Sequence, residues 1–430
     1  MGKRVKHIVP QERRASARAV AARVLRAVDA DPAARAPEVL AAELSRGSVD
    51  DPRERGLATE LVYGVLRQRR RLAHAVAPHV ERGFERLEPG AQILLLIGAY
   101  QILMLDRIPA PIAVSATQDA ARELGANRLT GILNSVLRKV AEQGERLPEG
   151  QDDGAVALRA SLPEWIVAEL RRAYGPDAER EALALRERAP TTVRPTLGRG
   201  GAAACAELLA TEGFAALPGP YGTLVVTGPG DPFATAAFAQ GLFVPQDPAS
   251  LAVVELLGDV AGRRVADLCA GRGLKATALA DRGAQVVAMD LAPGKLAGLE
   301  ELAERLGLGA RLTTEPADLA AGPPAGGPYE AVLVDAPCTG LGTLRRHPEI
   351  AWRRTRSDLA SLVALQGRLL DNAAAAVAPG GVLVYAVCSF ARAEGAPRLP
   401  AGFVVEARLD LRPTEGVDAF QALRLRRVAP

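Results

Sequence analysis

The 430-residue chain is poor in several residue types, and each shortage narrows what it can be. Its four cysteines form no C-x-x-C pair and have only four histidines to accompany them, which argues against disulfides and against a zinc site. No apolar run approaches the ~20 residues that span a bilayer, and the first ten residues lack the apolar core of a signal peptide. We therefore expect a cytoplasmic protein with no membrane segment and no metal.

Net charge is also small, and at +3 it does not by itself indicate a nucleic-acid partner. The arginines, however, are concentrated in four clusters. A guanidinium group binds phosphate through two parallel hydrogen bonds, so such clusters suit RNA. Any single cluster is equally well explained as a solvated helix face, but four together favour RNA as the partner. The clusters occupy residues 13–26, 67–71, 345–356 and 424–427.

The hydrophobic fraction of 48% and the length suit two to three globular domains. Residues 11–140 predict one helix after another, with the apolar residues 90–105 as the buried central helix. Residues 142–154 are rich in Gly, Pro, Glu and Asp, a linker composition. Short strand candidates between 191 and 244 alternate with a helix and predict a small α+β subdomain. The predicted domains are 1–145, 155–245 and 246–430.

The third domain shows apolar runs separated by helical stretches, a pattern typical of a doubly wound, Rossmann-like α/β sheet. In such sheets the chemistry lies just beyond the carboxyl ends of the strands. Three of the four cysteines, Cys269, Cys338 and Cys388, follow apolar runs of this kind. This placement predicts a thiol enzyme.

A cofactor site is predicted where the first of these strands turns into a helix. Gly271 and Gly273 allow the backbone to approach a ligand there, and the helix N-terminus favours an anionic group. The next strand ends in Asp290, close to the ~20-residue offset at which an acid meets ribose hydroxyls. A third fingerprint glycine and a P-loop Lys-Ser/Thr pair are both lacking, which favours S-adenosylmethionine over NAD. Asp318 follows a further candidate strand near Leu312 and is a candidate for contact with the adenine.

Several motifs together resemble a known family, the cytosine-5 RNA methyltransferases of the Nop/Sun class. The resemblance is greatest to the bacterial Sun/Fmu (RsmB) type, which acts on 16S ribosomal RNA. It extends over nearly the whole chain from about residue 11 and implies an all-α NusB-like N-terminal domain, a small α+β (RNA-recognition-like) subdomain and a Rossmann-like S-adenosylmethionine-dependent methyltransferase domain. The motifs are RGLATELVYGVLRQRRRL, LLLIGAYQILMLDRIP, GILNSVLRKV, GLFVPQDPAS, DLCAGRGLK, VDAPCTGLGTLRRHPEIAWRR and the CSF after Val387.

Position by position, the resemblance implies that Cys388 is the nucleophile and Cys338 the thiol that assists product release. Because carbon 5 of cytosine is a poor nucleophile, a thiolate must first add to carbon 6, and Asp335 is placed to hydrogen-bond ring nitrogen 3 during that addition. The implied partner is 16S ribosomal RNA or a partly assembled small subunit. We expect the protein to be a monomer. The implied cofactor contacts are Cys269, Ala270, Gly271, Arg272, Gly273, Leu274, Lys275, Asp290, Asp318 and Asp335.

The chain also departs from the family pattern, which keeps two other functions open. Leu274 stands where the family has glycine, Val387 replaces a threonine, Pro195 replaces a polar residue, and an acidic element after Cys388 is reduced to Glu394. One alternative is therefore an RNA-binding assembly factor with a degenerate cofactor site. The other is an amino-methyltransferase, but its Asn/Asp-Pro-Pro-aromatic signature does not match Asp-Ala-Pro-Cys here.

Overall fold

The computed structural model describes residues 15–47 and 49–428. Their contacts divide the chain into two compact units, Met1–Ser161 and Leu162–Pro430. No helix within the described ranges combines the length and apolarity needed to cross a membrane. Each unit is described separately below.

The described part of the first unit is helical, as predicted. The helices not foreseen are α2 and α7, both short. Helix α7 follows the predicted linker, in the stretch assigned to the second domain, yet it packs on α3 within the first unit. The helices are α1 (Ala17–Ala30), α2 (Ala36–Arg46), α3 (Pro52–Val76), α4 (Pro89–Met104), α5 (Ala110–Glu123), α6 (Thr130–Gln143) and α7 (Asp153–Ala160).

Helix α4 is the centre of this unit, as its uniform apolarity predicts. Residues on all its sides are buried, and it packs against α1, α3, α5 and α6. Two glycines let the helices approach closely, because a Cβ at Gly64 would overlap the Tyr100 ring and one at Gly98 would overlap Leu137. The fold of this unit therefore depends on small residues as well as on apolar ones.

The second unit begins with two helices and a small antiparallel sheet. The sheet has the strand order β2-β3-β1-β4, and α10 covers it around Val193, Cys205 and Phe243. Strand β2 was not predicted; its four residues, Ala-Ala-Leu-Pro, form a short and mostly exposed edge strand. The elements are α8 (Glu164–Tyr174), α9 (Ala178–Ala184), β1 (Thr192–Pro195), α10 (Gly201–Thr211), β2 (Ala215–Pro218), β3 (Leu224–Thr227), α11 (Ala236–Ala239) and β4 (Phe243–Pro245).

The rest of this unit is a seven-stranded sheet with the order β10-β11-β9-β8-β5-β6-β7. Strands β5 to β9 are parallel, and β11 pairs antiparallel with β9 and β10. The order reverses between β5 and β8, the position where doubly wound sheets bind ligands. The elements are α12 (Pro248–Glu255), β5 (Arg264–Asp267), α13 (Leu274–Asp281), β6 (Gln285–Asp290), α14 (Pro293–Leu306), β7 (Leu312–Pro316), β8 (Tyr329–Asp335), α15 (Ile350–Arg353), α16 (Arg356–Ala375), β9 (Val377–Val387), α17 (Arg392–Gly395), β10 (Phe403–Leu411) and β11 (Phe420–Arg427).

Two details of this unit differ from the sequence-based expectation. Ser357 was expected to cap the helix after β8, but Thr355 is the N-cap, and it forms a reciprocal capping box with Asp358. The hairpin of β10 and β11 was not predicted either. Its residues alternate between apolar and charged, a pattern weaker than the continuous apolar runs of the parallel strands.

Within the expected phosphate-binding clusters of the second unit, three arginines contact carboxylates of the fold. Arg424 and Arg426 each place Nε 2.7 Å from Glu406 across the β10–β11 hairpin. Arg346 donates to Asp247 at 2.6 Å. These three guanidinium groups help to hold the fold together and so offer fewer free donors to phosphate than the sequence alone suggests, a correction to the predicted binding surface.

In the first unit the same correction applies in part. Arg69 makes a bidentate ion pair with Asp29 at 2.6 and 2.8 Å, and Arg71 donates to Glu145 at 3.0 Å. The guanidinium groups of Arg69 and Arg71 therefore bind carboxylates within the unit. Residues 13 and 14, which begin the first cluster, lie outside the described residues.

Candidate active site

The turn after β5 carries the predicted cofactor glycines. Gly271 and Gly273 have φ of +57° and +80°, a region that favours glycine. A Cβ at Gly273 would overlap Leu299, whereas a Cβ at Gly271 would meet nothing closer than a backbone oxygen at 4.0 Å. The turn thus needs Gly273 for packing and leaves open space at Gly271, where a ligand could approach the backbone.

Leu274, the main departure from the family pattern, does not fill this space. It is the first residue of α13, and its side chain packs against the core that includes Leu299. Ala276 is fully buried in the same core. The altered turn therefore keeps the open space beside Gly271.

Asp290 closes β6 and is tied to the glycine turn. Its carboxylate accepts the backbone N–H groups of Gly271 and Ala292, both at 2.9 Å, and lies 3.4 Å from the ammonium group of Lys295. Asp318 lies beyond the end of β7, is exposed, and accepts the N–H of Ala320. Asp290 therefore supports the turn as well as standing where a ribose acceptor is expected.

Asp267, which the sequence analysis did not single out, ends β5 directly before the turn. It is 1% exposed and its Oδ1 has no hydrogen-bond partner in the described structure. Burial, and then the charge of Asp335, raise the pKa of Asp267 to about 7. The sequence does contain a signal for Asp267, because β5, β6 and β8 each end in an aspartate.

Replacing Asp267 with Asn should stabilise the protein above neutral pH. The raised pKa means that the folded state keeps a proton between pH ~4 and ~7 that the unfolded chain has lost, so wild-type stability falls as pH rises through this window. A neutral amide removes this pH dependence. The free energy of unfolding of the variant should therefore exceed that of the wild type by on the order of 2 to 4 kcal/mol at pH 8. Melting curves should show nearly equal midpoints for the wild type and the variant at pH 4. At pH 8 the variant should have the higher midpoint. Equal midpoints at both would mean that Asp267 is ionised in the folded protein.

Lys275, assigned by resemblance to the cofactor turn, reaches instead to the end of β8. Its Nζ lies 2.6 Å from Asp335 Oδ2 and 5.2 Å from the centre of the Phe420 ring. Burial lowers the pKa of Lys275, but the charge and hydrogen bond of Asp335 outweigh it, so that the pKa is raised and the ammonium form favoured. Cys388 also contributes to raising the pKa of Lys275, so the ammonium group of Lys275 lies near that sulfur.

Cys338 and Cys388 come together although 50 residues separate them in the chain. Cys388 directly follows β9, Cys338 lies three residues beyond β8, and the two Sγ atoms are 3.3 Å apart. The hydrogen bond to Cys388, followed by burial, raises the pKa of Cys338 well above its ordinary value. Cys338 therefore remains a thiol at neutral pH, and either sulfur can be the donor of the pair.

The remaining cysteines differ from this pair. Burial, with the charge of Asp267, raises the pKa of Cys269 so strongly that its thiol stays protonated. Cys205 is buried in the core of the small sheet. All four cysteines are free. Among the predicted site residues, the structure thus brings together Asp335, Lys275 and the two strand-end thiols, while Asp290 and Gly271 form a neighbouring group.

Comparison with known proteins agrees with this architecture. A family model for 16S rRNA methyltransferase RsmB/F matches residues 254–421, and a NusB family model matches residues 15–142. The ribosomal RNA small subunit methyltransferase B of Thermus thermophilus is 36% identical over 96% of this chain and 98% of its own length.

Solved structures share the fold. The crystal structure of PH0851 covers 95% of this chain and 98% of its own, with a TM-score of 0.79 at 19% identity. That of NSun6 from Pyrococcus horikoshii with SFG covers 62% and 99%, with a TM-score of 0.55 at 18% identity. These matches and the fold show that the chain belongs to the family of ribosomal RNA small subunit methyltransferase B. Members of this family are S-adenosylmethionine-dependent enzymes with a NusB-like helical domain.

Proposed function

We propose that this protein transfers a methyl group from S-adenosylmethionine to carbon 5 of a cytosine in 16S ribosomal RNA, through a covalent bond between Cys388 and carbon 6. The observation that carries the proposal is the pair of thiols 3.3 Å apart at the ends of neighbouring parallel strands, beside Asp335 and Lys275. A single thiol would serve for addition alone. Two thiols in contact suit a reaction in which a carbon–sulfur bond forms and later breaks.

The two thiols divide these tasks. The raised pKa of Cys338 keeps its thiol protonated, so we assign the attack on carbon 6 to Cys388. The ammonium group of Lys275 lies near the Cys388 sulfur and favours the negative charge that this sulfur carries when it attacks. Release breaks two bonds: the carbon 5 proton leaves to solvent, its electron pair restores the 5,6 double bond, and the Cys388 sulfur departs from carbon 6 as a thiolate. The Cys338 thiol stands in place to donate a hydrogen bond to that departing sulfur.

Asp335 is the group that meets the base. Protonation of ring nitrogen 3 draws electrons from carbon 6 and eases addition of the thiolate, and a carboxylate favours it by accepting a hydrogen bond from that N–H group. Lys275 holds Asp335 Oδ2 at 2.6 Å and so fixes the carboxylate, leaving Oδ1 for the base. The same lysine thus orients Asp335 and supports Cys388.

The cofactor fits the residues at the ends of β5, β6 and β7. Open space at Gly271 admits its amino-acid end, Asp290 is the acceptor for its ribose, and Asp318 stands on the side of its adenine. When bound, S-adenosylmethionine supplies an electrophilic methyl group to carbon 5. We propose the full turn, Cys269 to Lys275, as its surroundings, with Lys275 acting through Asp335.

The proposed RNA substrate is taken from the name of a relative of this chain. The Thermus thermophilus protein is named for the small-subunit ribosomal RNA, and we extend that substrate to this chain, either as free 16S RNA or in a partly assembled subunit. The three-domain division predicted from the sequence, a monomeric state and a cytoplasmic location form part of the proposal.

Tritium release tests the position of methylation. The purified protein is given labelled S-adenosylmethionine and either 16S RNA or partly assembled small subunits whose cytosines carry tritium at carbon 5. Methylation at carbon 5 must expel one tritium for each methyl group transferred, whereas methylation of the amino group expels none. With at least one of the two substrates, we expect the amount of tritium released to equal the amount of methyl transferred. Nucleoside analysis should then detect 5-methylcytidine.

Other results would favour the alternatives. Methyl transfer with tritium retained would indicate methylation of another atom. Absence of transfer from both substrates, with no heat of S-adenosylmethionine binding in calorimetry, would favour an assembly factor with a degenerate cofactor site.

A further inference from the structure

We propose that Glu394 and Gln366 are positioning residues that hold the backbone on both sides of Cys338, so that its thiol faces Cys388 during release of the product. The inference rests on the proposed function. It concerns two side chains that contact neither thiol through their own polar atoms and that lie outside the predicted site.

The contacts form a clamp around Cys338. Glu394 Oε1 accepts the backbone N–H of Thr339 at 2.8 Å, and its Oε2 accepts the Thr339 hydroxyl at 2.5 Å. On the other side, Gln366 Nε2 donates to the carbonyl oxygen of Pro337 at 2.9 Å. The same Nε2 also donates to Glu394 Oε1 at 3.1 Å. Pro337, Cys338 and Thr339 are thus held at both ends by one linked pair of side chains.

The clamp is anchored away from the thiols. Glu394 is fully buried in α17, where the Tyr385 hydroxyl donates to its carbonyl oxygen at 2.8 Å, and Gln366 is 1% exposed on α16. A buried carboxylate is costly unless donors surround it, and here they come from Thr339 and Gln366. This use of the donors explains why a charged residue is tolerated in a closed interior.

The clamp also connects the two thiol segments. Thr339 Oγ1 lies 3.2 Å from the hydroxyl oxygen of Ser389, the residue that follows Cys388. Displacement of Thr339 would therefore alter the separation of the two sulfurs. Because release requires the Cys338 thiol beside the Cys388 sulfur, a looser clamp should slow release more than addition.

The chain offers a matched control in Glu181. This glutamate is also fully buried, and it accepts the backbone N–H and the hydroxyl of Thr414 at 3.0 and 2.8 Å. Glu181→Ala removes the same two kinds of threonine hydrogen bond as Glu394→Ala, lacks only the counterpart of the Gln366 contact, and removes none to the Cys338 segment. Loss of stability alone should therefore affect both variants alike.

The experiment separates addition from release. Each full-length variant is mixed with substrate RNA and S-adenosylmethionine for a single turnover, and the covalent protein–RNA complex is followed on denaturing gels. Trapping by 5-fluorocytosine RNA measures addition and methyl transfer without release, because fluorine at carbon 5 cannot leave as a proton does. The variants are Glu394→Ala, Glu394→Gln, Gln366→Leu and Glu181→Ala.

We expect Glu394→Ala and Gln366→Leu to trap 5-fluorocytosine RNA at the wild-type rate but to release methylated RNA roughly 10- to 100-fold more slowly, so that the methylated complex accumulates. Glu394→Gln, whose amide oxygen still accepts from Thr339 and Gln366, should release nearly as fast as wild type. Glu181→Ala should show wild-type release even if its melting temperature falls.

Three results would overturn the inference. Release at the wild-type rate in Gln366→Leu, equally slow release in Glu181→Ala, or failure of Glu394→Gln to restore release would each contradict a positioning role. If Glu394→Ala does not fold, Gln366→Leu alone decides. Failure of the wild-type protein to trap 5-fluorocytosine RNA would instead contradict the proposed function itself, so the two failures are distinguishable.

Discussion

Replacing Cys388 and Cys338 separately with alanine should produce opposite failures. Without Cys388 no thiolate adds to carbon 6, so methylation should fall on the order of 10⁴- to 10⁶-fold while RNA and cofactor binding remain intact. Without Cys338, addition and methyl transfer should proceed but elimination should slow. A methylated protein–RNA complex should then accumulate and survive denaturing gel electrophoresis.

The control for this pair is Cys205→Ala, because Cys205 is buried in the small-sheet core, outside the active site. It should behave as wild type in both assays. Mass spectrometry of the complex trapped on 5-fluorocytosine RNA should identify Cys388 in the linked peptide. A link on Cys338, or accumulation in the Cys388 variant alone, would reverse the two roles, and normal methylation by both variants would exclude thiol catalysis.

Replacing Asp290 with alanine should weaken S-adenosylmethionine binding by roughly 10- to 150-fold, corresponding to about 1.5 to 3 kcal/mol for a charged hydrogen bond. Two losses contribute: the expected ribose acceptor disappears, and the N–H of Gly271 loses its partner at 2.9 Å. Isothermal titration calorimetry with the cofactor measures the change. Unaltered affinity would show that the end of β6 does not contact the cofactor.

Two companion variants separate those contributions. Asp290→Asn keeps an oxygen for Gly271 but removes the charge, so an affinity close to wild type would assign Asp290 to the turn alone. Asp318→Ala removes an exposed carboxylate whose contact in the chain is the N–H of Ala320, and should weaken binding less. A larger loss at Asp318 than at Asp290 would reverse the order of importance of the two acids.

The central parallel strands of the sheet could be predicted because they are buried on both faces. Such strands are continuous apolar runs, and the runs ending at Asp290, Asp335 and Val387 were found at those positions. The hairpin of β10 and β11 was missed because one face carries charge. Its arginines were attributed to RNA binding, whereas their partner Glu406 becomes apparent only when the register of the two strands is known.

The sequence by itself determined the helical first unit, the doubly wound sheet and the presence of strand-end acids and thiols, since hydrophobic periodicity and abrupt strand ends are local properties. Only the tertiary structure decided which of these groups meet. Lys275 pairs with Asp335 across 60 residues, Glu394 binds Thr339 across 55, and the Cys338 and Cys388 sulfurs lie 3.3 Å apart across 50. No local pattern encodes these contacts, because they depend on strand order and on the packing of loops at one edge of the sheet. The burial that raises the pKa of Asp267 and Cys338 depends on the same packing.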